Sequence, residues 1–319
     1  MLELPSRGFG RSVNTHNVHL DVLCDWIESS VLFHQEDISG TDVVDILIEN
    51  SIYDDQGFAW ELLSDAWREL RRRSILLQQG YPLNITEGRV RPAYRWDKLP
   101  GHSFCLALSL AEWLPNWARA FGNDYNEQGK LFELLVAESI AKTLPDWQVH
   151  RTGWSKTKTA KLPEVVKTLC AWLGEPETGN RERWTKNSAN EAGLDIVCIR
   201  PMPDRRPGIP LYLMQCASGV TNNPVWEHKR RMPDVDLWAK LVDFAVHPKR
   251  GFATPFAFTE DAFRRHCHAV NGLLLDRHRL IAPAAANPAW LSTTTAKRLR
   301  DWLRPRLRTL PRARTRVGS

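Results

Sequence analysis

The chain has 319 residues, 43% hydrophobic and 25% charged, an ordinary globular balance that excludes a disordered, fibrous or collagen-like polypeptide. Its formal charge is +6, and its most apolar stretch, Phe104 to Ala111, contains Ser109 and stops at Glu112. A bilayer helix needs ~18 consecutive apolar residues, so the sequence predicts a soluble protein with no membrane partner.

Residues 1 to 10 show no apolar run behind a basic flank, so no secretory signal is read there. Six cysteines (Cys24, Cys105, Cys170, Cys198, Cys216, Cys267) lie far apart with no CxxC pair, which suits reduced thiols and a cytoplasmic location.

In chain order, Leu20, Leu23, Trp26, Ile27 and Val31 recur at helical spacing, and Ser39 or Thr41 can cap a second helix running through Ile48. Phe58 to Leu77 continues the pattern with Trp60, Leu63, Trp67 and Leu70, and burial is the better explanation of these tryptophans. Nothing in this third is catalytic in type. Tyr81 to Trp96 reads as a hairpin turning at Glu87-Gly88, and Ser103 to Phe121 as a helix interrupted at Pro115. Gly122-Asn123-Asp124 is the expected domain boundary.

The second half alternates elements. A helix from Asn126 to Leu144 precedes a strand at Trp147 to His150 and an inserted helix from Leu162 to Leu173. Leu194 to Ile199 and Leu211 to Ala217 look like an antiparallel strand pair. A basic segment follows at Trp226 to Arg231, then a helix from Pro233 to Val246, a strand from Phe252 to Phe258 and a helix from Glu260 to Leu275. The fold class is therefore α/β: a mixed β-sheet flanked by helices, behind a mainly helical N-terminal domain. The expected domains are residues 1–122, 123–285 and a basic C-terminal helix and tail, 286–319.

From Ala282 onward nine Lys or Arg (Lys297, Arg298, Arg300, Arg304, Arg306, Arg308, Arg312, Arg314, Arg316) face one acid, Asp301, a local net charge of +8. Such an end suits phosphate backbones through counterion release; a solubilising segment is the alternative.

There is no GxxxxGK[ST] loop, HExxH pair or GxSxG elbow, so no ATPase, metalloprotease or serine hydrolase centre is evident. What is present is a set of acids and amides on the expected sheet. Asp195 follows Gly193 at the start of one strand, and Gln215 lies near the end of the next. On neighbouring strands both side chains reach one sheet edge, where oxygen ligands suit magnesium. Glu133 on the preceding helix can add an oxygen, and Lys229 can stabilise charge on a reacting phosphate. Each also has a structural alternative: a strand-start hydrogen bond for Asp195, polar satisfaction for Gln215, and solvated faces for Glu133 and Lys229.

This constellation resembles the PD-(D/E)XK nuclease superfamily over about Asn126 to Thr259. Gly129 to Leu135 is similar to its GxxFExL-like helix segment, Asp195 to its strand Asp, and Gln215 to the Gln of its QxK variant. Ala217 departs from the pattern, standing where the family has lysine; Lys229 is the candidate for a migrated one. The resemblance implies a metal-dependent DNA endonuclease in which Glu133, Asp195 and Gln215 hold Mg2+ or Mn2+. It further implies a role in bacterial restriction or antiviral defence, with a protein partner that supplies sensing or ATP hydrolysis. The rival readings are a non-catalytic DNA-binding or scaffold subunit on the same fold, and a protein-interaction module.

Overall fold

Helix α1, Leu20–His34, is buried on every side from Val22 to Leu32, and it ends where Gln35 turns left-handed (φ 57°) and returns its N–H to Val31 O. The computed structural model describes residues 1–9, 18–120, 124–152, 162–179, 181–184, 192–219 and 224–312. After α1 comes β1 (Ile38–Ser39), then α2 (Gly40–Glu49). Ser39 and Asp42 close a reciprocal capping box at the α2 N-terminus, worth about 1 kcal/mol. Asp55 caps α3 (Gln56–Leu77) by accepting the Phe58 N–H at 2.8 Å.

The expected hairpin forms as β2 (Leu83–Ile85) against β3 (Arg89–Pro92), and β1 joins it as a third antiparallel strand. Proline starts both following helices, α4 (Pro100–Trp113) and α5 (Pro115–Arg119), where its missing N–H costs nothing. Pro115 therefore interrupts the segment where the sequence places the break. Trp26 and Trp67 are buried as expected, but Trp60 is 42% exposed, because it falls on the outward side of α3.

Two compact units divide the chain: Met1–Asp124 with Pro255–Thr259 and Arg277–Ser319, and Tyr125–Thr254 with Glu260–Asp276. The second unit opens with α6 (Tyr125–Thr143) and β4 (Gln148–Arg151). Then come α7 (Leu162–Leu173), the short α8 (Arg181–Trp184), β5 (Ile196–Ile199) and β6 (Leu211–Cys216). Two short helices follow, α9 (Pro224–Lys229) and α10 (Val235–Trp238), before β7 (Lys249–Ala253), α11 (Glu260–Val270) and β8 (Gly272–Leu275).

The strands form one mixed sheet in the order β4-β5-β6-β7-β8, antiparallel for the first two pairings and parallel for the last two. One face is covered by Val165, Val166 and Leu169 of α7 with Trp238 and Leu241, which pack with Val197, Ile199, Leu211 and Leu213. Each such side chain contributes about 1.5–3 kcal/mol on burial.

Three expected elements differ. The helix read over Pro233–Val246 shrinks to α10, because the backbone at 241–243 instead pairs with the loop at 176–178: Thr178 N–H donates to Leu241 O and Asp243 N–H to Pro176 O. The last strand begins earlier, at Lys249, and residues 255–259 group with the first unit. The helix read to Leu275 stops at Val270, where Asn271 is left-handed (φ 50°), and the chain becomes β8. A Cβ on Gly272 would stand 1.9 Å from the Arg250 carbonyl oxygen, so glycine is required for β8 to approach β7.

From Arg277 the chain belongs to the first unit, through α12 (Arg277–Ile281) and α13 (Thr293–Leu307). The basic residues from 286 onward are thus not a separate piece. Lys297 pairs with Asp301 at 2.6 Å, and Arg306 with Asp124 while lying 3.8 Å over the Trp302 ring. Arg314 and Arg316 lie outside the described residues.

Candidate active site

Asp195 immediately precedes β5. The ladder pairs Ile196 with Met214, and the Asp195 N–H also donates to Met214 O, at 2.9 Å, so Asp195 enters the strand beside Met214 with its side chain in reach of Gln215 on β6. The Asp195 carboxylate is buried, 7% exposed; its Oδ2 accepts from the Gln215 side-chain amide and, at 2.6 Å, from the Cys216 N–H. The same Gln215 Nε2 lies 3.3 Å from the Cys216 carbonyl oxygen, so it sits between two oxygens.

Gly193 makes room for this pair. It is left-handed (φ 72°), and a Cβ there would meet the Met232 side chain at 2.7 Å and Gln215 Oε1 at 3.0 Å. The motif Gly193-Leu194-Asp195 thus places a bare backbone where the amide must lie.

Glu133 is buried on α6, which packs against β6. Burial pushes the Cys216 thiol well above its usual pKa, and the neighbouring Asp195 and Glu133 carboxylates push it further. Both carboxylates therefore lie within electrostatic reach of Cys216. Arg151, at the end of β4, acts on Cys216 in the opposite sense. It is a nearby cation the sequence reading missed; only its place at a strand end hinted at it.

Lys229 is half-buried at the last position of α9. Its carbonyl accepts from the Met232 N–H at 3.0 Å, and among the described residues its ammonium forms no ion pair with Asp195 or Glu133. Asp195 and Gln215 are brought into direct contact, Glu133 shares with Asp195 an electrostatic effect on Cys216, and Lys229 makes no ion pair with either acid. Ala217, two residues on from Gln215, is fully buried, and a lysine there would carry its stem through the packed interior.

Among the described residues no three His, Cys, Asp or Glu side chains gather as a metal-ligand group. The oxygens that fit a hard cation are mixed in type. An amide nitrogen already bridges the Asp195 carboxylate and the Cys216 carbonyl. Because the two ends of an amide have the same shape, turning the Gln215 amide over puts a third oxygen at that point. One carboxylate, one carbonyl and one amide oxygen suit Mg2+, which keeps several of its waters.

The first unit holds a second concentration of buried charge, in the third of the chain where nothing catalytic in type was read. Asp25 accepts from Arg73 (2.7 Å), from Arg277 on both oxygens (2.9 and 2.7 Å) and from the Ser109 hydroxyl. Glu28 pairs with Arg277 at 3.2 Å and accepts the Tyr81 hydroxyl at 2.7 Å. Arg277 Nε–H also donates to Pro255 O at 3.0 Å. Burial opposes charge on Asp25, but the Arg277 and Arg73 guanidiniums outweigh it and hold the carboxyl well below the usual range. Asp21 goes the other way: burial, with repulsion from Asp25 and Glu69, raises it to about 6 against the pull of Arg73. The network closes on itself and ties α1, α3, α4 and α12 together.

The chain matches no family model, no curated protein and no solved structure. Among the described residues no helix is long and apolar enough to cross a membrane, and all six cysteines are free thiols.

Proposed function

We propose that the second unit is a metal-dependent phosphodiesterase acting on DNA, with its centre at Asp195 and Gln215. The observation that carries this reading is the convergence of the Asp195 carboxylate, the Gln215 amide and the Cys216 carbonyl at the ends of two adjacent strands. The order α6, β4, β5, β6, crossover, β7 supports it, being the order that the resemblance to PD-(D/E)XK nucleases implies. Bound at this point, Mg2+ or Mn2+ would polarise the phosphodiester for attack by water.

The protein's own groups have distinct parts. Asp195, Gln215 and the Cys216 carbonyl would hold the cation, which would supply Lewis-acid polarisation of the phosphodiester. Glu133 would add negative charge that draws the cation in and would serve as the acceptor for a proton of the attacking water. Lys229, at the end of α9, would supply positive charge to the developing phosphorane. Restriction or antiviral defence with a protein partner is the biological setting this reading implies.

A second reading has its own observation. Lys229 makes no ion pair to Asp195 or Glu133 and Ala217 carries no charge, as expected of a non-catalytic DNA-binding or scaffold subunit on the same fold. Incubation of plasmid and linear DNA with Mg2+ or Mn2+ separates the two, comparing the native chain with Asp195→Ala and Lys229→Ala. Metal-dependent cutting lost in both variants supports the nuclease. Binding without cutting transfers the assignment to the DNA-binding subunit.

A further inference from the structure

The phosphodiester reading makes no use of the outer face of α3, in the first unit. Ala59, Leu63, Ala66, Leu70 and Leu77 turn the other face of this helix into the core. The outer face keeps three of the eight large apolar side chains left exposed among the described residues: Trp60 (42%), Leu76 (45%) and Ile75 (75%). Apolar residues exposed singly are ordinary, but these share one helix. Gly57, Glu61, Ser64, Arg68, Arg71 and Ile75 are all exposed and recur at alternating spacings of four and three, so they form one stripe along it. At the rise of an α-helix the stripe is about 27 Å long.

A groove follows each flank of the stripe. One, of about 260 Å³, runs between Trp60, Ser64 and Gly88; the other, of about 550 Å³, runs between Leu20, Arg72 and Leu76. Arg71 borders both, so the stripe is the ridge that separates them. A ridge between two grooves is the relief that a second helix packs against, with room for its side chains on either side.

Charge along this face is segregated. Glu61 and Asp65 lie in its first half, Arg68 and Arg71 in its second. Arg68 pairs with Asp65 at 3.0 Å where both are largely in solvent, a pairing that exchanges partners readily. Arg71 pairs with no acid among the described residues, whereas Arg72 is anchored on Glu69 at 2.7 Å. The stripe is also symmetric about the level of Ala66. A second α3 laid antiparallel with a two-fold axis at that level sets Gly57 against Ile75, Glu61 against Arg71 and Ser64 against Arg68, and symmetry makes every contact twice. A large side chain then meets the residue without one, and each acid of a pair meets a base. A partner of a single sign, such as an acidic peptide or a nucleic acid, meets half of this face with its own charge.

We propose that the outer face of α3 is a self-association surface, on which a second copy of this chain packs its own α3 antiparallel to form a two-fold dimer. Ile75 covers the Gly57 end of the partner helix, and the Glu61 and Arg71 side chains set the register.

The test is sedimentation equilibrium of the full chain from about 1 to about 100 µM, native and substituted. The expected result is a native dimer in that range. Ile75→Asp, Glu61→Arg and Arg71→Glu should each weaken it about tenfold or more while the melting transition stays cooperative, since all three positions are exposed. Equal parts of the Glu61→Arg and Arg71→Glu chains should dimerise again, because the mixed pair sets opposite charges against each other at both contacts. A native chain that stays monomeric throughout, a dimer that the three substitutions leave intact, or no recovery on mixing would each overturn the proposal.

Discussion

Asp25 and Asp195 are both buried carboxylates, 2% and 7% exposed, one in each unit, and the donors that reach them differ in kind. Asp25 faces two wholly buried guanidiniums, Arg73 and Arg277, so its charge is balanced where it lies. Asp195 Oδ2 accepts from an amide and a backbone N–H, donors that fix the direction of a carboxylate. A carboxylate matched by fixed cations is part of the fold's own framework. One whose direction is set by an amide and a strand-end N–H has the fixed orientation that a metal ligand needs. Burial and perturbed charge alone do not mark a functional site; the nature of the partners decides.

The largest effect should come from breaking the closed network. Asp25→Ala takes from the buried Arg73 and Arg277 the carboxylate they share, leaving Arg277 only Glu28 and Arg73 only Glu28, Glu69 and Asp21, which costs about 3 kcal/mol, read as a lower urea midpoint. Because the Asp25 carboxyl sits below the usual range in the folded state, its contribution is complete at neutral pH and is lost as pH falls through the acid range. Native protein and Asp25→Ala should therefore converge in stability on acidification; parallel curves would show that the carboxylate is not balanced as described.

Next is the backbone of the second unit. Gly272→Ala drives a Cβ to within 1.9 Å of the Arg250 carbonyl oxygen, so β8 must move off β7 at a cost of about 2–3 kcal/mol. The loss should appear in hydrogen exchange of β7 and β8 amides, and unchanged protection there would contradict the pairing. Tyr81→Phe removes a hydroxyl donor to Glu28 and should cost about 1.5–3 kcal/mol by denaturation.

The smallest effect is one of pH. Asp21, raised from 3.8 to about 6, binds its proton more tightly folded than unfolded, so its contribution is present below about 4 and is lost as pH rises through 6. Asp21→Asn should therefore be relatively more stable than the native chain above pH 6. No difference between the two curves across that range would remove Asp21 from the network.

Much of this was legible in the sequence, for identifiable reasons. Helical spacing located α1, α3 and α6, the Leu162–Leu173 helix has the bounds read from its pattern, and the hairpin followed from Glu87-Gly88 between short apolar runs. The pairing of β5 with β6, and with it the meeting of Asp195 and Gln215, was likewise readable from two apolar runs joined by a proline-rich loop. Not legible was anything that depends on distant partners. Asp25 and Arg277 are 252 residues apart, and two acids inside an apolar helix resemble a solvated face until that partner is in place. The 233–246 segment has helical composition but yields its backbone to the 176–178 loop. The end of α11 was marked by Asn271-Gly272, a helix-stop signal outweighed by the apolar run after it.

The most direct measurement is a paired readout on Asp25→Asn and Asp195→Asn: the urea midpoint of each full chain, and its metal-dependent cutting of plasmid DNA beside the native protein. The account predicts that Asp25→Asn loses stability, while Asp195→Asn keeps the native midpoint and loses cutting. A native chain that never cuts with Mg2+ or Mn2+, or an Asp195→Asn chain that cuts as well as the native one, would contradict it.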